Sequence, residues 1–288
     1  MRLSVVLPTL NGAATIGEQL EALTRQEWDD GWELVVVDNG STDATLQIVD
    51  SYRSRLPALV VVDASDRQGM AHAINVGVRA ATGDAVVFVN DDDIVADGWL
   101  AAMGAALREH DVVAGALEFD RLNEPWAIAV RGRPQSEGLI RFEFGQRPFA
   151  FAATLGVSKS LHEAIGGFDE EIDTAGEDVD YSWRLQNAGN EIHFVPTAVT
   201  HYRLRGGLRD VFVQARRYGE GMVLVYRKHR SHGVNVSGRW RRGIRGWLGI
   251  VKALAGARDK AGFALVAWKL GWRVGMVTGS LRYRAFLF

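Results

Sequence analysis

Residues 33–43 read Glu33-Leu-Val-Val-Val-Asp-Asn-Gly-Ser-Thr-Asp43, and the break in the middle of that stretch sets the architecture. The Val-rich run from Glu33 to Val37 suits a strand buried on both faces. Polar residues Asp38 to Asp43 close it, and Leu46, Ile48 and Val49 then fall at helical spacing. The same unit extends in both directions. Leu3 to Leu7 precedes Ile16, Leu20 and Leu23; Leu59 to Val62 precedes Ile74, Val76 and Val78; Ala85 to Val89 is a further apolar run. Strand-helix alternation predicts an α/β fold with a mostly parallel sheet covered by helices and ligands outside the carboxyl ends of the strands. Three polar clusters then share one rim: Pro8 to Gly12, Asp38 to Asp43, and Asn90 to Asp93.

The chain has 288 residues, 47% apolar and 24% charged, enough to bury a core and too apolar for general disorder. The longest apolar run near the C-terminus, Ala261 to Trp268, is stopped by Lys269 and Arg273, short of the roughly 18 residues that a membrane span needs. The absence of cysteine excludes disulfides, thiolate metal sites and a cysteine nucleophile, and suits a reducing compartment. Met1 to Pro8 reads as a first strand rather than a leader, so a cytoplasmic chain is expected.

Charge divides the sequence. Residues 1–202 carry 14 basic and 32 acidic side chains, whereas residues 203–288 carry 19 and 3. An acidic body repels an anionic substrate unless a cation or local arginines intervene, and a basic tail seeks phosphate-rich surfaces. Neither a Gly-x-Gly-x-x-Gly turn nor a P-loop follows the first strand. A nucleotide bound here needs another partner for its charge, and a metal is the obvious one. Asp91, Asp92 and Asp93 offer hard oxygen ligands suited to Mg²⁺ or Mn²⁺; the alternative is a solvated turn, with Asp97 capping the helix that begins near Trp99. A second acidic pair, Glu177-Asp178, opens a stretch whose apolar face is Val179, Trp183 and Leu185. Acidic residues favour a helix N-terminus, and Asp180 with Arg184 makes an i,i+4 pair. In a cleft, the same carboxylates can serve as general base. Residues Arg121 to Pro148 show no periodicity and read as a long loop over the site. His72 and His193 read as helix-surface and strand residues.

Taken together, Val-Val-Leu-Pro-Thr-Leu-Asn at 5–11, Val-Val-Val-Asp-Asn-Gly-Ser-Thr-Asp at 35–43, Gly69 with Asn75 and Ala81-Thr-Gly-Asp84, Asn90 to Asp93, and Gly166-Gly-Phe-Asp169 followed by Gly176-Glu-Asp178 form an ordered set. The set resembles the family 2 glycosyltransferases, inverting enzymes of GT-A fold, over about residues 1–205. The resemblance implies a GT-A catalytic domain at 1–205 and a basic helical region at 206–288. It places Pro8, Thr9 and Asn11 along the base and ribose of a nucleotide, Asp38 on a pyrimidine, and Arg67 and Gly69 at its flanks. Asn90 to Asp93 matches the Asp-x-Asp motif in either of two registers, 90–92 or 91–93, with Asp91 and Asp93 the first choices for metal or diphosphate contact. It assigns the base to Asp178, with Glu177 beside it, puts His201 at the metal or diphosphate, and brings Arg203 and Arg205 to the leaving group. The reaction implied is sugar transfer from a nucleotide-diphosphate donor, UDP- or dTDP-linked, to an acceptor hydroxyl on a glycan or lipid, in cell-envelope polysaccharide or glycolipid synthesis, aided by Mn²⁺ or Mg²⁺. Two rivals are a nucleotidyltransferase, whose Gly-rich first loop is missing, and an inactive sugar-nucleotide-binding scaffold.

In the basic region, Ile244, Trp247, Leu248, Val251 and Leu254 recur at helical spacing beside Arg241, Arg242, Arg245 and Lys252. This pattern predicts an amphipathic helix on an anionic membrane surface, here the inner face of the cell membrane. Gly271, Gly275 and Gly279 form a small-residue stripe open to close approach by another helix, from this chain or a second copy. Nucleic acid is not expected as a partner, because no helix-turn-helix or zinc module accompanies the positive charge.

Overall fold

The computed structural model describes residues 1–142, 147–232 and 239–287, with side chains for all of these but 232 and 239–242. The elements run β1 (Leu3–Thr9), α1 (Ile16–Leu23), β2 (Trp32–Asp38), α2 (Thr45–Ser51), β3 (Leu59–Asp63), α3 (Met70–Ala80), β4 (Ala85–Phe88), β5 (Ile94–Val95), α4 (Trp99–Leu107), β6 (Val112–Glu118) and α5 (Pro125–Arg131). They continue with β7 (Leu155–Ser158), α6 (Lys159–Ala164), α7 (Glu177–Asn187), β8 (His193–His201), α8 (Leu208–His229), α9 (Arg239–Gly256) and α10 (Lys260–Tyr283). The strands form one sheet in the order β3-β2-β1-β4-β7-β6-β8-β5. Pairing is parallel from β3 through β4 and again between β6 and β8, and antiparallel at β7 and β5. The expected α/β class with a mostly parallel sheet and a helical C-terminal region is thus observed.

Helices cover both faces of the central strands, which explains why their apolar runs do not alternate. Val5, Leu7, Leu34, Val36 and Val87 pack with Leu20 and Leu23 of α1 and with Trp99 and Met103 of α4. Val6, Val35, Val37, Val86 and Phe88 pack on the other side with Ile74 and Val78 of α3 and Tyr181 and Leu185 of α7. β3 departs from the expectation of a buried strand: it is an edge, and Val60 and Val61 are exposed. The stretch 121–148 is not all loop, since α5 lies within it. Pro125 fits the first turn, where its missing N–H costs nothing, and Gly132 ends the helix at positive φ. Residues 143–146 of that stretch lie outside the described residues. Asp97 does not cap α4; Gly98 occupies the cap with φ 78° and Asp97 pairs with Arg25 instead.

The glycine stripe meets α8. A Cβ at Gly271 would collide with the Phe212 carbonyl oxygen and one at Gly275 with that of Arg216, while one at Gly279 would sit 2.9 Å from the Glu220 oxygen. α8 in turn packs beside α7, and Val223 and Val225 join Val179, Trp183 and Met276 in a third core. Only backbone this close lets α10 settle against α8. α9 differs: Ile244, Trp247, Leu248, Val251 and Leu254 stay exposed. The Arg241 and Arg242 side chains fall outside the described set.

Candidate active site

Thr9 and Asp38 end their strands side by side in the β1-β2 register. β4 flanks β1 on the other side, so Asn90 to Asp93 emerges next to Pro8 to Gly12. Thr9 Oγ1 donates to Asp91 Oδ2 at 2.5 Å. Gly12 is required here because a Cβ would collide with the Asp91 carboxylate and lie 2.7 Å from Thr9 Oγ1. Asn11 has φ 55°; its N–H donates to Ser41 Oγ at 3.0 Å and its Oδ1 accepts from Thr42 N at 2.8 Å. The first two loops are therefore tied together. Asp38 is buried and accepts from Ser41 N at 3.0 Å.

Asn39, which the sequence motif contains but gives no role of its own, holds the third loop. Its Nδ2 donates to the carbonyls of Ala64 and Arg67 at 2.6 and 2.8 Å, and its Oδ1 accepts from Gly69 N at 2.8 Å. The Arg67 guanidinium turns to Glu170, with Nη1 3.1 Å from Oε2. His72 is a correction: it is buried rather than on the helix surface, because the 168–171 segment covers α3 there. Its ring nitrogens contact Glu170 at 2.9 Å and Asp66 at 3.0 Å. Burial disfavours its charge, but the two carboxylates hold its pKa above the ordinary histidine value.

In the acidic triplet, Asp93 is buried and accepts from Asn90 Nδ2 at 2.9 Å and from Arg203 N at 2.8 Å. Burial, then the charge of Asp92, raises its pKa well above the usual carboxylate range. Asp91 is raised by burial as well, with Asp92 adding to the effect and Thr9 opposing it. Asp92 faces Arg205 at 3.0 Å, and its carbonyl accepts from Arg203 Nε at 2.8 Å. His201 ends β8 opposite Ile94, and its Nδ1 lies 2.6 Å from Glu118 Oε2, which leaves Nε2 as the free ring nitrogen. No cage of three acidic or histidine side chains is gathered among the described residues. Mg²⁺ and Mn²⁺ do not need one, since one or two carboxylates suffice when substrate phosphates complete the shell. Crowded carboxylates with raised pKa values fit such an ion.

Glu177 and Asp178 open α7 after Gly176, which adopts φ 96° beside α8. Asp178 Oδ1 accepts from Val179 N at 2.8 Å. Burial, then the Glu177 charge, pushes the Asp178 carboxyl well above its ordinary pKa; burial also raises Glu177, with Arg217 opposing. The helix is braced from behind. The anticipated Asp180–Arg184 pair forms at 2.7 Å, and His229 Nε2 of α8 adds a contact to Asp180 Oδ1 at 2.8 Å.

Two tyrosines join the acidic groups. Asp93 and Asp92 act electrostatically on Tyr202, Asp178 and Glu177 act on Tyr218, and each phenol feels the other. Burial raises both phenol pKa values. Tyr202 directly follows His201 and was within reach of the sequence reading. Tyr218 was not, because only the packing of α8 on α7 brings it there.

Comparison with known proteins bears on the family and the fold. The family model for glycosyl transferase family 2 matches residues 4–166. The chain is 36% identical over 130 residues to a PGL/p-HBAD biosynthesis glycosyltransferase of Mycobacterium bovis, covering 44% of this chain and 50% of that one. It is 35% identical over 137 residues to the poly(ribitol-phosphate) beta-N-acetylglucosaminyltransferase TarS of Staphylococcus aureus, covering 47% and 23%. The matches thus span half or less of these relatives' lengths. Among solved structures, the mannosyltransferase PcManGT from Pyrobaculum calidifontis in complex with GDP-Man and Mn²⁺ superposes with TM-score 0.68 at 20% identity, covering 96% of this chain and 86% of that one, a likeness of fold. With the family model spanning more than half of its length, the chain belongs to glycosyl transferase family 2.

Proposed function

We propose that this protein is an inverting glycosyltransferase that moves a sugar from a nucleotide-diphosphate donor, UDP- or dTDP-linked, to an acceptor hydroxyl in cell-envelope polysaccharide or glycolipid synthesis. The observation that supports this reading is the polar rim at the carboxyl ends of β1, β2 and β4, where Thr9 lies beside Asp38 and donates to Asp91 at 2.5 Å. The names of its relatives are consistent with it, since they include a PGL/p-HBAD biosynthesis glycosyltransferase, a poly(ribitol-phosphate) beta-N-acetylglucosaminyltransferase and a mannosyltransferase in complex with GDP-Man and Mn²⁺.

In this reading Pro8, Thr9, Asn11 and Asp38 line the base and ribose, with Arg67 and Gly69 at their edge. Asp178 takes the proton from the acceptor hydroxyl as its oxygen attacks the anomeric carbon, and the bond to the diphosphate breaks with its electron pair leaving on the phosphate oxygen. Arg203 and Arg205 stand at the aspartate loop to meet that charge. Asp91 and Asp92, with Asp93 and His201 in support, would hold Mg²⁺ or Mn²⁺, and the bound ion would supply Lewis-acid stabilisation of the departing diphosphate. Residues 1–205 form the catalytic domain, and 206–288 the basic helical region, whose α8 packs beside α7.

Thermal shift with UDP, dTDP and GDP sugars, with and without Mn²⁺, tests donor binding. Stabilisation by a nucleotide sugar that excess chelator removes is the expected result; stabilisation unchanged by chelator removes the metal from the account. Glu177→Gln gives a pH test. A base whose pKa is raised loses activity as pH falls through that raised value, and removing the neighbouring negative charge lowers it. The acid limb of the pH–rate profile for transfer should therefore move to lower pH, and an unmoved limb contradicts the assignment.

The exposed face of α9, with Arg245 and Lys252 also exposed, fits an anionic membrane surface by charge complementarity as well as apolarity. No helix among the described residues is long and apolar enough to cross a membrane. The protein should float with phosphatidylglycerol vesicles at low salt and release at high salt; failure to bind at low salt rejects a peripheral location on the inner face of the cell membrane.

A further inference from the structure

The loop after β3, residues 64–69, stands beside Asp38. β3 pairs with β2 up to Asp63 and Asp38, and Asn39 holds the carbonyls of Ala64 and Arg67 and the N–H of Gly69. On its other side, four charged groups of alternating sign close a ring. Asp66 Oδ1 lies 3.0 Å from His72 Nε2, His72 Nδ1 lies 2.9 Å from Glu170 Oε2, and the same Oε2 accepts from Arg67 Nη1 at 3.1 Å. Arg67 Nη2 also donates to the Glu170 carbonyl at 2.6 Å. The other carboxylate oxygen, Oε1, accepts from Asn75 Nδ2 at 2.9 Å. Two residues of the loop are thus tied to the 168–171 segment, which Lys228 of α8 fastens in turn through Asp169 and Glu171 at 2.6 and 2.7 Å.

The sugar-transfer scheme gives His72 and Glu170 no task, yet the ring of charges closes in one protonation state. A carboxylate only accepts, and a neutral imidazole has a single N–H. With a carboxylate at each ring nitrogen, the neutral form turns a lone pair on one of them, whereas the imidazolium donates to both. Asp66 from the loop and Glu170 from the 168–171 segment face the imidazole, and Arg67 reaches it through Glu170. The other charged side chain of α3, Arg79, lies two turns further along. Burial opposes the charge on His72, but the two carboxylates outweigh it and keep the ring protonated above the ordinary histidine value. We propose that His72 and Glu170 are positioning residues for the nucleotide donor, holding the 64–69 loop in place beside Asp38, and that the hold is complete only while the His72 ring is charged. This rests on the loop flanking the donor, as the glycosyltransferase reading has it.

The full chain, as wild type, Asp66→Asn, Glu170→Gln and His72→Gln, is titrated calorimetrically with UDP, dTDP and GDP plus Mg²⁺ from mildly acid to mildly alkaline pH. The raised pKa sets the direction: the contact is intact below the ordinary histidine value and is lost as pH rises through the raised one. The wild type should therefore bind its nucleotide about fivefold more weakly on the alkaline side, a modest step because Asp66 is exposed. Asp66→Asn should flatten the step, since the new amide can donate to an unprotonated Nε2. Glu170→Gln, whose amide cannot accept from Asn75 at one atom and from Arg67 and His72 at the other, should bind about fivefold more weakly at every pH. His72→Gln cannot titrate, so it should lose the step and identify the His72 signal in NMR spectra. The nucleotide's own ionisation and that of the acidic triplet are common to all four proteins, so the differences between them isolate His72. In the wild type itself, nucleotide should move the His72 titration to higher pH, because a ligand that prefers the charged ring favours its proton by linkage. A ring that only braces the fold titrates at one pH with or without nucleotide. Wild-type affinity without the step, a step of equal size in Asp66→Asn or His72→Gln, wild-type affinity in Glu170→Gln, or a His72 titration unmoved by nucleotide would each overturn the proposal. Failure of every nucleotide to bind the wild type at any pH sinks the glycosyltransferase reading and this proposal with it, so the two failures are distinguishable.

Discussion

Replacing Asp178 with Asn should lower sugar transfer by about 10²–10⁴-fold, the usual contribution of a positioned general base, with little change in the affinity for nucleotide. The side chain keeps its size and can still accept the Val179 N–H, so the start of α7 survives. What is lost is the proton acceptor. Removing a desolvated charge beside Glu177 also relieves repulsion, so the melting temperature should hold or rise. Transfer by the variant near the wild-type rate, with the fold intact, would show that another group takes the proton.

Gly221→Val should be the most damaging single change outside the site. A Cβ at Gly221 would run into the carbonyl oxygen of Ala175, the residue just ahead of Gly176-Glu177-Asp178. Neither backbone can give way without moving α8 from α7, so overpacking should cost about 3 kcal/mol, the upper part of the usual range. Transfer should fall together with stability, because the Glu177-Asp178 turn and Tyr218 ride on the two displaced helices. Gly206→Ala, at a position with open space around it, is the control and should leave the urea midpoint nearly unchanged. A stable, active Gly221→Val would mean that the α7–α8 contact does not position the acidic pair.

The strands that carry the donor side were legible because each is a Val-rich run closed by polar residues. Thr9, Asp38 and Asp91 owe their closeness to the parallel register of β1, β2 and β4, which alternation with helices already implies. α5 was missed because seven residues give too short a window for helical periodicity, though Pro125 and Gly132 marked its ends. His72 was misread for a different reason. Its own helix says surface, and only Glu170, nearly a hundred residues on, brings a partner that accompanies burial. Tyr218 is the strongest instance: it comes near the acidic pair only through the packing of α8 against the rest, and nothing local in the chain announces it. The glycine stripe was readable as a close-approach surface, but its partner α8 became known only from the fold.

Diffraction from crystals soaked with a nucleoside diphosphate and Mn²⁺ addresses the convergence of the acidic groups most directly. The nucleotide should lie across the carboxyl ends of β1, β2 and β4, with an anomalous Mn²⁺ peak touching both the Asp91–Asp92 carboxylates and the diphosphate. The Asp178 carboxylate should face the open space beyond the terminal phosphate, on the side away from the nucleoside. Nucleotide or Mn²⁺ bound elsewhere, or Asp178 turned from that space, would contradict a shared catalytic centre.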